Sequence, residues 1–200
     1  MAIHSLDILF RPTRAWQAIA NDADSAAKTL LTHTAPSALV PAASWYYGVT
    51  QVGWSFGHSA VQKIAPSSAA TICALFYLAM IGGVVFLGYM VHWMAATYGA
   101  ARSSFARGVA VVSFTATPFF LAGFLGLHPS LWVDLGVGVL VALHCIYLLY
   151  AGVPIVMGVA PERGFLFASA VIAIALVGVV ASMGGTAILW DFGAEPVYTD

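Results

Sequence analysis

Charge is what this sequence has least of. Only 7 Lys and Arg and 8 Asp and Glu residues occur among its 200 residues, which is 8% of the chain, whereas 61% is hydrophobic. An ordinary soluble domain is about 25% charged, so the charged side chains of this sequence are too few to cover a water-facing surface. A net charge of −1 also excludes a nucleic-acid-binding protein, which carries a basic face. The composition predicts an integral membrane protein without a nucleic-acid partner.

Cysteines and catalytic motifs are scarce as well. Cys73 and Cys145 are lone thiols in apolar segments, a pattern that gives neither a disulfide framework nor a paired metal site. The chain has no H-E-x-x-H motif, no glycine-rich phosphate loop followed by lysine and no pair of aspartates at membrane depth. The fragment Gly57-His58-Ser59 resembles a shortened nucleophile motif but has no oriented partner base. The sequence predicts a protein that is not an enzyme and that binds no metal and no cofactor.

Five long runs without charge organise the chain. A bilayer core of roughly 30 Å needs about 20 apolar helical residues, so each run holds one crossing and none holds two. The expected fold is all-α, a bundle of five transmembrane helices near residues 33–54, 73–98, 108–127, 131–157 and 166–190. The predicted domains are a cytoplasmic segment (1–28), the transmembrane domain (29–190) and a short external tail (191–200).

The first 28 residues have the pattern of a surface helix. Trp16 and Ile19 fall on the apolar side of a short helix that begins at Pro12, a residue suited to a first helical turn. Arg11 and Arg14 are placed to meet anionic headgroups. The pattern predicts an amphipathic N-terminal helix with Arg11, Arg14 and Trp16 at the membrane surface. A cap packed over the helix bundle is an alternative that is compatible with it.

The basic residues are unequally divided between the two sides of such a bundle. Five crossings leave Lys63 alone on one side and place six bases on the other: Arg11, Arg14, Lys28, Arg102, Arg107 and Arg163. Because Lys and Arg accumulate in cytoplasmic loops, we expect a cytoplasmic N-terminus and an external C-terminus.

Polar residues at membrane depth are the best functional indicators in such a chain. The buried polar candidates are His92, Asp134 and His144. Asp134 lies near the end of its helix, where an interfacial role also fits. Each histidine fits either a hydrogen-bonded packing residue or metal or proton chemistry, although a third metal ligand is missing.

Prolines interrupt several predicted spans. Pro36 and Pro41 lie in the first, Pro118 in the third and Pro154 in the fourth, and each is expected to kink or break its helix. Thr115 and Thr117 are placed to satisfy the carbonyls that Pro118 leaves free. Broken helices at membrane depth indicate either a transport site or packing geometry.

Small residues align on two helix faces. One face holds Gly88, His92 and Ala96, and the other holds Gly178, Ser182 and Thr186. Such faces let helix backbones approach closely, either within one chain or between chains.

Four stretches resemble one known family. They are YLLYAGVPIVMGVAPERG (147–164), TYGAARSSF (97–105), TATPFFL (115–121) and LFRPTRAW (9–16). Together they resemble the YIP family, the Ypt/Rab-GTPase-interacting proteins, in its short bacterial form. The family-motif residues of this chain are Tyr98, Gly99, Pro118, Tyr147, Tyr150, Gly152 and Pro154.

The resemblance implies five crossings, a cytoplasmic N-terminus and a place in the bacterial inner membrane. Eukaryotic relatives are adaptors for prenylated Rab GTPases, but this chain lacks their long cytoplasmic N-terminal region, so a Rab-type GTPase partner is not expected. The leading hypothesis is a non-enzymatic membrane scaffold or adaptor that assembles with itself, with other membrane proteins or with lipids. The alternative is a small channel or transporter, with a path along the third and fourth helices lined by His92, Asp134 and His144.

Overall fold

The computed structural model of the protein describes residues 7–55 and 60–199, so that residues 1–6 of the predicted N-terminal segment, the Gly57-His58-Ser59 fragment and residue 200 lie outside it. Its helices are α1 (Pro12–Asp22), α2 (Ala26–Thr29), α3 (Ala35–Tyr47), α4 (Pro66–Met94), α5 (Phe105–Thr115), α6 (Thr117–Ala122), α7 (Leu131–Met157) and α8 (Pro161–Leu189). Residues 7–10 are helical too. Two short strands, β1 (Lys63–Ile64) and β2 (Tyr198–Thr199), pair antiparallel.

Four helical segments of the described chain are long and apolar enough to cross a membrane: Pro66–Met94, Phe105–Leu127, Leu131–Met157 and Pro161–Ala194. They confirm an all-α membrane helix bundle. The first expected span is also helical, because a π-helical turn at Leu30–Thr34 joins α2 to α3 and a second one at Gly48–Val52 extends α3, which gives one helix over residues 26–52. It is roughly 40 Å long at about 1.5 Å per residue, but it is less apolar than the other four. Its crossing therefore stays a prediction.

Capping residues set the helix ends. α7 has the predicted bounds, whereas α4 begins at Pro66 rather than residue 73 and α8 begins at Pro161 rather than residue 166. Proline suits a first turn because that position needs no N–H donor. Ser104 caps α5, since its Oγ accepts a hydrogen bond from the Arg107 N–H at 3.2 Å. Apolar content alone placed two of these starts too late.

The two prolines of the third and fourth spans act differently. The third span breaks at Ala116, between α5 and α6, and ends in a 3-10 helix at Gly123–Leu127. Of the kink or break expected in the fourth span, a break is excluded, because α7 continues through Pro154 to Met157. Pro154 lies in the last turn of α7. Little helix follows it, so a change of helix direction at Pro154 would move few residues.

Glycines allow the closest helix crossings. A methyl group built at Gly108 in α5 would overlap the carbonyl oxygen of Gly88 in α4, and one at Gly88 would lie 2.8 Å from the Val109 Cα. The 3-10 segment approaches α3 in the same way, because a methyl group at Gly123 would lie 2.5 Å from the Pro41 Cα. These contacts hold the third span against both the first and the second.

The bundle has two distinct ends. At one end, which we call the basic end, Arg107 joins α1 to α5 and α7, and the α4–α5 loop (residues 95–104) is bonded to the α7–α8 turn (residues 158–160). At the other end β1 pairs with β2, and the Ser68 Oγ donates to the Glu195 carbonyl at 3.1 Å. The described C-terminal residues and α1 therefore lie at opposite ends of the bundle.

Candidate functional site

Two of the motif-bearing segments meet at the basic end. The Ala101 N–H donates to the Gly158 carbonyl at 3.3 Å, and the Arg102 N–H donates to the Met157 carbonyl at 3.0 Å. The α4–α5 loop is thus bonded directly to the α7–α8 turn. We call the residues around this contact the motif cluster: 98–102, 150–154 and 157–167.

Each of the two segments contains a glycine in the left-handed region. Gly99 has φ +70° and Gly158 has φ +64°, conformations that cost other residues energy. Each glycine also faces the side chain of an arginine from the opposite segment. A methyl group at Gly99 would lie 2.7 Å from the Arg163 Nη1, and one at Gly158 would lie 3.4 Å from the Arg102 Cγ.

Stacked rings extend the motif cluster along α7 and α8. Tyr98 stacks on Phe167 with ring centroids 4.8 Å apart, and Tyr150 stacks on Phe165 at 5.1 Å. The Tyr150 hydroxyl is hydrogen-bonded to the Ser169 Oγ at 2.8 Å. Offset or parallel aromatic pairs of this kind contribute beyond their buried area, so both tyrosines fix the start of α8.

Glycine and proline let α7 and α8 pack closely here. A methyl group at Gly164 would lie 2.6 Å from the Pro154 Cγ. Among the remaining motif residues, Pro118 is buried at the break in the third span, far along the chain from this cluster, and Tyr147 is exposed. The structure thus brings together Tyr98, Gly99, Tyr150, Gly152 and Pro154 but not Pro118 or Tyr147.

Helix α1 is a cap on this end of the bundle. The Trp16 side chain is fully buried, and a methyl group at Gly152 would lie 2.5 Å from the Trp16 Cε2. Trp16 is therefore a packing residue rather than a headgroup contact, a correction to its predicted place at the membrane surface. Arg11 and Arg14 are exposed and stay candidates for that role.

Arg107 joins three helices at this end. Its Nη1 donates to the Ala20 carbonyl of α1 at 2.9 Å and to the Val156 carbonyl of α7 at 3.1 Å. Carbonyls near helix C-termini lack partners within the helix, and a cation is favourable there. Arg107 therefore has a structural role in attaching α1 to the bundle.

The three buried polar candidates lie in separate places. The His92 Nδ1 is hydrogen-bonded to the Ser103 Oγ at 2.9 Å near the basic end. Asp134 accepts a hydrogen bond from the Ser130 N–H at 3.0 Å and so caps the start of α7. The His144 Nε2 is buried without a hydrogen-bond partner, about 15 Å along α7 from Asp134 by helix rise. No described contact joins these residues into one path.

A buried polar network, which sequence reasoning did not single out, lies where the first and third spans meet. His33 is bonded through Nδ1 to the Ser113 Oγ at 2.9 Å and through Nε2 to the Thr117 Oγ1 at 3.2 Å, and Thr34 is bonded to the Ser113 Oγ at 2.6 Å. All four side chains are buried. The position of His33 inside a charge-free run was the available indication of a buried polar group. The sequence could not show its partners, because they lie about 80 positions away in the chain.

Thr115 and Thr117 do not have the expected role at the helix break. Thr117 bonds His33, whereas the Thr115 Oγ1 has no hydrogen-bond partner in the described part of the chain, so neither hydroxyl is seen to satisfy a carbonyl freed by Pro118. Within the residues that the structure describes, no three His, Cys, Asp or Glu side chains are grouped as a metal site requires. The arrangement serves helix packing and presents basic groups at one end.

Comparison with known proteins agrees with the resemblance that the motifs indicated. A model of the Yip1 domain matches residues 6–182. The chain is 30% identical over 190 residues to the inner membrane protein YohC of Escherichia coli K12, covering 95% of this chain and 97% of that protein. YohC of Escherichia coli O6:H1 strain CFT073 gives the same values, and no solved structure matches. The chain belongs to the Yip1 domain family.

Proposed function

We propose that this protein is a non-enzymatic scaffold or adaptor of the inner membrane that assembles through the C-terminal half of α8. The membrane setting has two supports, the four apolar helices and the relative described as an inner membrane protein. The proposal of assembly rests on the surface of α8, which is considered next.

The small residues in the C-terminal half of α8 contact no other element among the residues that the structure describes. In the described part of the molecule, no atom outside the helix lies within 4 Å of a methyl group built at Gly178 or Gly185. The hydroxyls of Ser182 and Thr186 bond carbonyls of the same helix. Small residues bring membrane helices into contact, and the chain uses Gly88 and Gly108 in that way. The corresponding face of α8 is free to pack against another chain, and a second copy is the partner we propose.

Replacing Gly178 and Ser182 together with leucine is expected to reduce the assembly to a smaller species, because two bulky side chains on this face hold a second helix away. Native mass spectrometry of protein extracted in mild detergent measures the change. Val180→Leu is the matched control, since Val180 is 68% exposed on the opposite side of α8. A wild-type protein that is monomeric, or a double variant with unchanged complex size, contradicts assembly through this face.

The same proposal includes five crossings, with α1 on the cytoplasmic surface and the C-terminus outside. It is supported by the continuous helix over residues 26–52, by the opposite positions of α1 and the β1–β2 pair, and by the six bases on the side of α1.

Cysteine labelling tests this topology. In a Cys73→Ala/Cys145→Ala background, we expect a membrane-impermeant maleimide to label Ala60→Cys and Glu195→Cys in intact cells but to label Gln17→Cys only after lysis. The reason is that an odd number of crossings separates residue 17 from residues 60 and 195 only if residues 26–52 span the bilayer. Equal labelling of residues 17 and 60 in intact cells contradicts the fifth crossing.

A small channel or transporter is the second candidate. The break in the third span beside the His33 network favours it, because broken helices with polar groups line transport sites. It requires solute or ion flux into liposomes that carry the protein, reduced in His144→Ala if the path follows the fourth helix. Flux no greater than in protein-free liposomes contradicts this candidate.

A further inference from the structure

The arginines of the motif cluster occupy reciprocal positions. Arg102 belongs to the α4–α5 loop and lies over Gly158 of the α7–α8 turn, whereas Arg163 follows that turn and lies over Gly99 of the loop. The hydrogen bond from the Arg102 N–H to the Met157 carbonyl holds the two segments together. We call this contact between the α4–α5 loop and the α7–α8 turn the junction, and the backbone of both arginines is held at it.

Their charged groups are unused. In the described chain neither the Arg102 nor the Arg163 guanidinium makes a hydrogen bond or ion pair, and both residues are exposed. Arg107, by contrast, spends donors on two helix carbonyls. Each free guanidinium presents a planar set of five donors that matches the oxygens of a phosphate group. The junction carries two such groups against one carboxylate, Glu162.

The junction also lies where lipid headgroups would be. It lies at the ends of four apolar helical segments, which here belong to α4, α5, α7 and α8. Trp93 and Phe165, on either side of it in the chain, are 66% and 59% exposed. Exposed aromatic rings beside arginine are typical of the membrane–water interface.

We propose that Arg102 and Arg163 form a binding site for the phosphate of an anionic phospholipid. The two guanidinium groups bind the headgroup, and the exposed rings of Trp93 and Phe165 contact the acyl chains. Gly99 and Gly158 keep the arginines close to the backbone, since a side chain at Gly99 would collide with Arg163. The site rests on the membrane placement of the proposed function but is independent of assembly through α8.

Lipid retention by the purified full-length protein tests the site. Native mass spectrometry with added phosphatidylglycerol or phosphatidylcholine compares the wild type with Arg102→Gln/Arg163→Gln. We expect the wild type to retain phosphatidylglycerol preferentially, and the double variant to retain it about tenfold less because two charge-assisted contacts are lost. Arg102→Lys/Arg163→Lys keeps the charge without the planar donor set and is expected to fall between them.

Controls separate this site from general attraction to a basic surface. Arg11→Gln/Arg14→Gln removes the same two charges at the same end, at the start of α1, where both arginines are exposed, and is expected to retain the lipid. An equal loss in Arg11→Gln/Arg14→Gln, or no loss in Arg102→Gln/Arg163→Gln, overturns the proposal. Millimolar inorganic phosphate is expected not to displace the lipid, and displacement would assign the site to free phosphate instead. The masses of the protein assemblies in the same spectra report on α8, so failure of one proposal is distinguishable from failure of the other.

Discussion

Replacing Gly108 with alanine is expected to destabilise the folded protein by about 3 kcal/mol or more, an effect at the upper end for overpacking by one methyl group. The added methyl group would overlap the Gly88 carbonyl oxygen, and the nearest atoms that it meets, in Gly88 and His92, all belong to backbone. No side chain can rotate away, so α4 and α5 must separate. That movement opens the buried contacts around Val84, Val91 and Val109.

Thermal unfolding in detergent, followed by circular dichroism, measures this effect. Gly83→Ala is the matched control, because it is the same change in α4 at a position where a methyl group meets no other atom of the described chain. Alanine there is expected to leave stability unchanged or to raise it slightly, since glycine costs roughly 0.5–1 kcal/mol inside a helix. Equal stability of Gly108→Ala and the wild type would show that the two helices do not cross this closely.

Replacing His33 with leucine is expected to destabilise the protein by about 2 kcal/mol, as the loss of two interhelical hydrogen bonds in a membrane setting suggests. His33 is 2% exposed and bonds Ser113 and Thr117. Leucine fills similar space but leaves the Thr117 hydroxyl buried without a partner. It also removes the ring contact with Phe114, whose centroid lies 4.1 Å from that of His33.

His144→Leu is the matched control for this experiment. The His144 Nε2 is already buried without a partner, so an apolar replacement removes an unsatisfied group and is expected to leave the unfolding temperature unchanged or higher. A lower stability of His144→Leu than of His33→Leu would reverse the assignment of the two histidines. It would then point to an unseen partner for His144.

The sequence predicted the membrane class and the bounds of α7 because these depend on local composition. A charge-free run of sufficient length has to be helical in lipid, where backbone groups find no water. The same reasoning misplaced the starts of α4 and α8, since Pro66 and Pro161 determine those ends and both precede the most apolar part of their helices. It also expected a kink or break at Pro154, where α7 is not broken and only one helical turn remains.

The candidate site was predictable in its members but not in its arrangement. Motif resemblance identified Tyr98, Gly99, Tyr150, Gly152 and Pro154. Their structural roles depend on contacts with other residues, which the motifs do not reveal. Gly152 accommodates Trp16, and Gly99 accommodates Arg163. These partners lie 64 or more positions apart, beyond the reach of local periodicity.

By itself the sequence determined that the protein belongs in a membrane and which long segments are helical, because hydropathy acts residue by residue. Only the tertiary structure decided which small residues are used inside the chain. Gly88 and Gly178 lie on similar faces in sequence, but Gly88 packs on Val109 and the Gly178 position is open. The tertiary structure likewise distinguished His33, whose two ring nitrogens are both hydrogen-bonded, from His144, whose Nε2 has no hydrogen-bond partner among the described residues. Hydrogen bonding and close packing are pairwise, and the pairs form only when distant helices meet.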